Sequence, residues 1–292
     1  MTRISPQFLA RLRRLRIVYD SKRTGMQKGI RSSHRFGSSL EFSDFKEFQP
    51  GDDIRQIDWN VYGRTRRHFI KRYLDEQEIK VAIYLDCTSS MRAIESKWTQ
   101  AKSLAACLSF ICLENEDRLS FIPISAPSAK KIERKGRTHA QSVLLQILRL
   151  SMEETTTSFI RGLEGKMEKN TQIAFIITDG MEPIEEYERL LKKCSPLHTN
   201  IIFIQILSEK EGAPEVHGDA KLIDSELQTE INLSVSPRLI TAYQMRLQEH
   251  NERLKQLCVK TGAEYFLIND VKKMEEILLK DFVLKGLVQK GG

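Results

Sequence analysis

The chain has 292 residues, 40% hydrophobic and 29% charged, enough apolar content for a substantial core, which excludes disorder of the whole chain. Its formal charge of +7 and pI near 9.1 admit an acidic partner, nucleic acid or a membrane surface, but 39 acidic residues among 46 basic ones read more simply as a mixed, solvated surface. Five cysteines without CxxC spacing, no apolar run of membrane-spanning length and no apolar stretch after the first arginines point to a soluble, cytoplasmic protein with reduced thiols.

Pro6 to Tyr19 sets Phe8, Leu9, Leu12, Leu15 and Ile17 among Arg11, Arg13, Arg14 and Arg16, predicting a basic amphipathic helix that starts near Ser5. Its plain role is to pack on the body with a solvated basic face; a membrane or nucleic-acid contact is the alternative. Ser21 to Ser39, rich in Gly, Ser and basic residues, reads as an irregular loop. Leu40 to Arg67 carries a Pro50-Gly51-Asp52 turn, with Glu41, Asp52, Asp53, Arg55, Asp58, Trp59 and Arg64 closely spaced. The charged residues among them either pin the segment as structural pairs or, with Trp59, form a docking surface beside a metal site. His68 to Glu76 alternates as an edge strand does.

In VAIYLDCTSSM, Val81 to Met91, an apolar run ends abruptly in Asp86 and a loop of small hydroxyl residues follows. AFIITDG, Ala174 to Gly180, repeats the shape and ends in Asp179. Open α/β sheets bind ligands outside the carboxyl ends of their strands, so the two carboxylates converge if the strands are neighbours. Lys97 to Leu113 has the spacing of a crossover helix. Arg118 to Ile124 reads as a strand whose Pro123 marks an end or an edge, with a short strand at Lys130 to Arg134 and a helix at His139 to Leu150. Thr155, Thr156, Thr157 and Ser158 precede another helix, as caps or as a hydroxyl ligand.

A helix at Glu182 to Lys193 and a strand at Asn200 to Leu207 come next. A hairpin at about 219–236 then leads into a long helix from Ser236 or Pro237 to near Gly262, with His250 as a satisfied core residue. Tyr265 to Ile268 reads as the last strand and Met274 to Leu287 as the last helix. The alternation predicts an α/β fold with a doubly wound, mostly parallel sheet. Its expected divisions are an N-terminal helix and extension over 1–78 and a main domain over 79–288 containing the hairpin.

Asp86, Thr88 and Ser90, with Asp179 at a second strand end and Thr157 in a loop between, offer only hard oxygen ligands. Such a set suits Mg²⁺, with Mn²⁺ and Ca²⁺ as alternatives, and leaves positions for water or a partner's carboxylate. An aspartyl-phosphate phosphatase wants a second carboxylate where this chain has Thr88, Cys87 has no evident histidine beside it, and neither a Walker A loop nor GxGxxG is present. A non-enzymatic role is therefore expected, with a metal-dependent, phosphatase-like hydrolase and a basic nucleic-acid-binding protein as the other classes.

These residues resemble the metal-ion-dependent adhesion site of von Willebrand factor type A domains: Asp-x-Ser-x-Ser, a loop Thr and Thr-Asp-Gly, here Asp86, Thr88, Ser90, Thr157 and Thr178-Asp179-Gly180. Glu41-Phe42, GDDIRQIDW and Gly63-Arg64 ahead of that domain resemble the domain-of-unknown-function 58 family, in which Gly63 is more often alanine. The resemblance implies a type A-like sheet, a Mg²⁺-assisted protein-binding module and an adaptor or co-chaperone-like partner of a MoxR-type AAA ATPase. An acidic side chain of that partner would complete the metal shell.

Overall fold

The structure, a computed structural model, describes residues 4–19, 42–49, 52–73, 78–126, 128–151, 158–195, 198–214, 218–223 and 230–291. The expected loop at Ser21 to Ser39, Glu41, the Pro50-Gly51 half of the turn, Thr155 to Thr157 and the hairpin tip lie outside the described residues. In chain order the elements are α1 (Pro6–Leu12), β1 (Leu15–Ile17), β2 (Phe42–Glu47), α2 (Trp59–Thr65), β3 (Phe69–Tyr73), β4 (Lys80–Asp86), α3 (Ser89–Arg92), α4 (Glu95–Glu114), β5 (Arg118–Ile124) and β6 (Ile132–Lys135). Then come α5 (Ala140–Leu148), α6 (Phe159–Glu164), β7 (Thr171–Thr178), α7 (Ile184–Cys194), β8 (His198–Leu207), α8 (Glu209–Gly212), β9 (Gly218–Ile223) and β10 (Glu230–Val235). The chain closes with α9 (Pro237–Lys260), β11 (Glu264–Asn269), α10 (Met274–Glu276), a π turn over Ile277–Asp281, α11 (Phe282–Leu284) and β12 (Val288–Lys290).

Six of these strands form one sheet in the order β11-β8-β7-β4-β5-β6, parallel except for the antiparallel edge strand β6. Relabelled by chain order within the sheet this is 3-2-1-4-5-6, the doubly wound order expected. Both faces are covered, which is why the strands read as continuous apolar runs. Along β4, Val81, Ile83 and Leu85 enter the layer that holds Trp98, Leu108 and Phe110 of α4, whereas Ala82 and Tyr84 enter the opposite layer with Tyr187, Leu190 and Leu254. Pro123 is tolerated near the end of β5, an interior strand. The α4 stripe that spacing predicted is buried, but so are Lys97, Ser103 and Ser109, because this helix is enclosed on nearly all sides.

Contacts divide the chain into two units, residues 1–19 with 79–292, and residues 20–78. The first helix and strand thus group with the sheet, not with the extension to which sequence assigned them. The predicted helix over Pro6 to Tyr19 stops at Leu12. Beyond it Leu15 and Ile17 are buried and Arg16 is not, a period of two, and β1 pairs antiparallel with β12 from the far end of the chain. β12 is also a correction to the expectation that Tyr265 to Ile268 is the last strand, and the single helix expected over Met274 to Leu287 is three short turns ended at Gly286, whose φ is +72°. The basic face of the first segment is partly paired: Arg11 with Glu275 at 3.7 Å and Arg13 with Glu114 at 3.3 Å. The expected hairpin is present as the antiparallel β9–β10 ladder. All five cysteines are buried free thiols, and among the described residues no helix is long and apolar enough to cross a membrane.

The 20–78 unit contains the antiparallel β2–β3 ladder and α2, with Ile57, Val61 and Ile70 buried. Asp58 caps α2 by accepting from the Asn60 and Val61 amides, and Arg66 closes it in the left-handed conformation. Gly63 lies inside this helix, and beyond its chain neighbours and the helix's own backbone no atom stands within 4 Å of where a Cβ would be. Gly63→Ala should therefore raise stability by about 0.5–1 kcal/mol, measured by urea unfolding; a loss of stability would contradict the helix assigned here.

Candidate metal centre

Asp86 and Asp179 end adjacent strands. β4 pairs with β7 in parallel, Leu85 lying opposite Ile177, and the chain departs from these two strands to opposite sides of the sheet. That junction is the switch point, where no crossover helix covers the strand ends. Asp86 and Asp179 are 1% and 3% exposed.

Asp86 is held on both oxygens. Oδ1 accepts from the Thr88 amide at 2.9 Å and from the Thr88 hydroxyl at 2.6 Å; Oδ2 accepts from the Thr178 hydroxyl at 2.7 Å. The Ser90 hydroxyl lies 3.1 Å from that of Thr88. Asp179 Oδ1 accepts from the Met181 amide at 3.2 Å, and Oδ2 takes the ammonium of Lys97 at 3.2 Å. Lys97, fully buried, also donates to Glu211 Oε1 at 2.6 Å, and Glu211 in turn accepts from the Ser208 amide in a capping box at the start of α8. Asp270, just past β11, ties the neighbouring loops by accepting from the hydroxyls of Ser96 and Ser208.

Burial first, and then the charge of Asp179, push the Asp86 carboxyl up to about 7 against the pull of the Thr88 and Thr178 hydrogen bonds. For Lys97, burial is the largest influence and lowers its pKa, but Asp179 and Glu211 more than offset it, so the ammonium stays charged. The Cys87 thiol is pushed up by burial and then by Asp86, and it donates to the Leu85 carbonyl, which removes it as a nucleophile.

The Asp179-Gly180 loop is pinned from behind. Gly180 has φ +73°, and a Cβ there would lie 2.9 Å from Leu254. Gln205 donates to the Asp179 carbonyl at 2.8 Å and to Asn251 at 2.9 Å, and His250 meets the Gly180 carbonyl at 2.7 Å. His250 is thus satisfied by this loop.

Of the expected ligands, Asp86, Thr88, Ser90 and Asp179 stand together; Thr157 lies outside the described residues, and Ser158 is the cap of α6. Lys97, Thr178 and Glu211 carry roles that sequence reading missed. Thr178 stood inside the Thr-Asp-Gly motif, Glu211 stood three residues after Ser208 in capping-box spacing, and Lys97 was signalled only by a charge beside Trp98 at the start of an apolar helix. The donor set fits a hard divalent cation: the donors are oxygens, the hydroxyls that donate to Asp86 keep lone pairs, and the carboxylates of Asp86 and Asp179 are both buried, with an ammonium on Asp179 alone. No group of three His, Cys, Asp or Glu side chains suited to a metal occurs among the described residues, so Thr and Ser oxygens are essential to the fit.

In the 20–78 unit the acids are used locally. Asp52 accepts from Lys46 Nζ at 2.8 Å and from the Gln49 amide, and Asp53 caps the 3-10 turn Ile54–Gln56. Trp59, 59% exposed, stands edge-on to Tyr62 and His68, which stack at 4.5 Å. Ile54, Arg55 and Arg64 are exposed as well.

The model of the family described as "Protein of unknown function DUF58" matches residues 44–253. An uncharacterized protein of Mycobacterium tuberculosis (strain H37Rv) is 25% identical over 249 residues, 80% of this chain and 76% of its own. Among solved structures, the conserved hypothetical protein BatB from Bacteroides thetaiotaomicron is 15% identical with a TM-score of 0.35, over 71% of this chain and 98% of its own. The SpRpn10 VWA domain is 12% identical with a TM-score of 0.38, over 72% and 95%.

Between the ordinary carboxyl value of 3.8 and about 7, the folded protein keeps a proton on Asp86 that the unfolded chain has lost, so metal-free stability falls as pH rises through that window. Thermal melts in chelator should therefore show Asp86→Asn above the wild-type Tm at pH 8, the gain shrinking toward pH 5. A variant with no gain at any pH would contradict the buried acid pair.

Proposed function

Because the chain belongs to the DUF58 family, whose description names no activity, its own site must carry the reading, and we propose a metal-dependent protein-interaction module. The observation that carries it is the meeting of Asp86, Thr88, Ser90 and Asp179 at the ends of two adjacent strands. Asp86, Thr88, Ser90 and Asp179 would hold Mg²⁺, with Mn²⁺ and Ca²⁺ as substitutes, and Thr157 is the expected loop ligand. Bound there, the ion supplies a Lewis-acidic position for an acidic side chain of another protein.

The chain's own residues do the preparing. Thr88 and Thr178 fix both oxygens of Asp86 before any ligand arrives, and Gln205, His250 and Gly180 fix the loop that carries Asp179. A binding role is supported by two residues beside the site that are engaged elsewhere: the Cys87 thiol donates to the Leu85 carbonyl and His250 meets the Gly180 carbonyl. The partner we infer from the family resemblance is a MoxR-type AAA ATPase, with this chain as its adaptor.

The test is capture of a purified MoxR-type ATPase by the immobilised full chain, in Mg²⁺ and in chelator, beside Asp86→Ala of confirmed fold. Capture should fall at least about tenfold with either change, since a lost charged ligand costs well over 1.4 kcal/mol. Equal capture in all three conditions sinks the proposal.

A further inference from the structure

Lys97 belongs to none of the motifs that mark the site, yet its ammonium stands 3.2 Å from one oxygen of Asp179. It is fixed there. Its side chain is fully buried, its second acceptor Glu211 is itself anchored by the Ser208 amide at 2.8 Å, and α4, which carries it, is enclosed by the core. An ammonium in that position does to Asp179 part of what a metal would do: it neutralises the carboxylate and takes one of its lone pairs.

We propose that Lys97 is a built-in competitor that limits the affinity of the site for divalent cations, so that the metal is held weakly until a partner's acidic side chain joins it. The inference rests on the metal-site reading above. Its basis is electrostatic. An ammonium a few ångström from a divalent ion repels it by more than a factor of ten in affinity even at the dielectric constant of water, and by more in a buried site. Glu211 draws part of that charge away from Asp179, which keeps the site open to metal. A chain with a neutral residue at position 97 would hold the ion tightly on its own and depend less on a partner.

The experiment is titration of the full chain with Mn²⁺ at pH 8, read by electron paramagnetic resonance of the free ion. Lys97→Met should bind Mn²⁺ at least about tenfold tighter than wild type. Because that variant leaves Asp179 and Glu211 without their cation, the pair Glu211→Gln and Lys97→Met/Glu211→Gln gives a second reading, the double variant binding about tenfold tighter than the single one. Wild-type binding that Lys97→Met leaves unchanged or weakens, or a double variant no tighter than Glu211→Gln, overturns the role of Lys97 and leaves the metal site standing. Absence of Mn²⁺ binding in wild type and in every variant overturns both.

Discussion

Two carboxylates brought side by side out of water repel each other and lose their hydration, and the parallel pairing of β4 with β7 imposes that condition on Asp86 and Asp179. Much of what surrounds them offsets it. Two threonine hydroxyls and an amide satisfy Asp86, an ammonium from the first turn of α4 compensates Asp179, and the residual conflict shows in the upward push on Asp86. A site in this condition gains from a bound cation more than a solvated pair of acids does, because the ion would relieve a repulsion already installed.

Helix α9 joins the core to this site. Its C-terminal half buries Leu254, Leu257 and Cys258 against the sheet, and on the way His250 and Asn251 reach the Asp179-Gly180 loop directly and through Gln205. Gly180 has to be glycine twice over, for its positive φ and for the approach of Leu254. Core packing and the placement of Asp179 are therefore one structure: a change in how α9 seats on the sheet is a change in where Asp179 points. The β9–β10 hairpin precedes this helix immediately in sequence.

What could be read beforehand followed from period and punctuation. The runs ending in Asp86 and Asp179 announced buried strands, and doubly wound topology then put them side by side. The reading failed where local pattern was ambiguous or the partner was remote. Leu15 and Ile17 fit a helical stripe as well as a strand, and only β12, some 270 residues later, decides between them. Lys97 was invisible for a related reason: a lysine at the start of a helix reads as solvent-facing, and its burial depends on Glu211, 114 residues away in sequence. The acids of GDDIRQIDW looked available for docking, but Asp52, Asp53 and Asp58 each accept hydrogen bonds within a few residues, a use that spacing alone does not distinguish from a surface.

The most direct test of a cation held between these strands is an anomalous-difference map from crystals of the full chain grown with Mn²⁺. The account predicts a peak bounded by Asp86, Thr88, Ser90 and Asp179, absent from crystals of Asp86→Asn. A fully ordered site with no peak there at saturating Mn²⁺, or a peak that persists unchanged in Asp86→Asn, would contradict it.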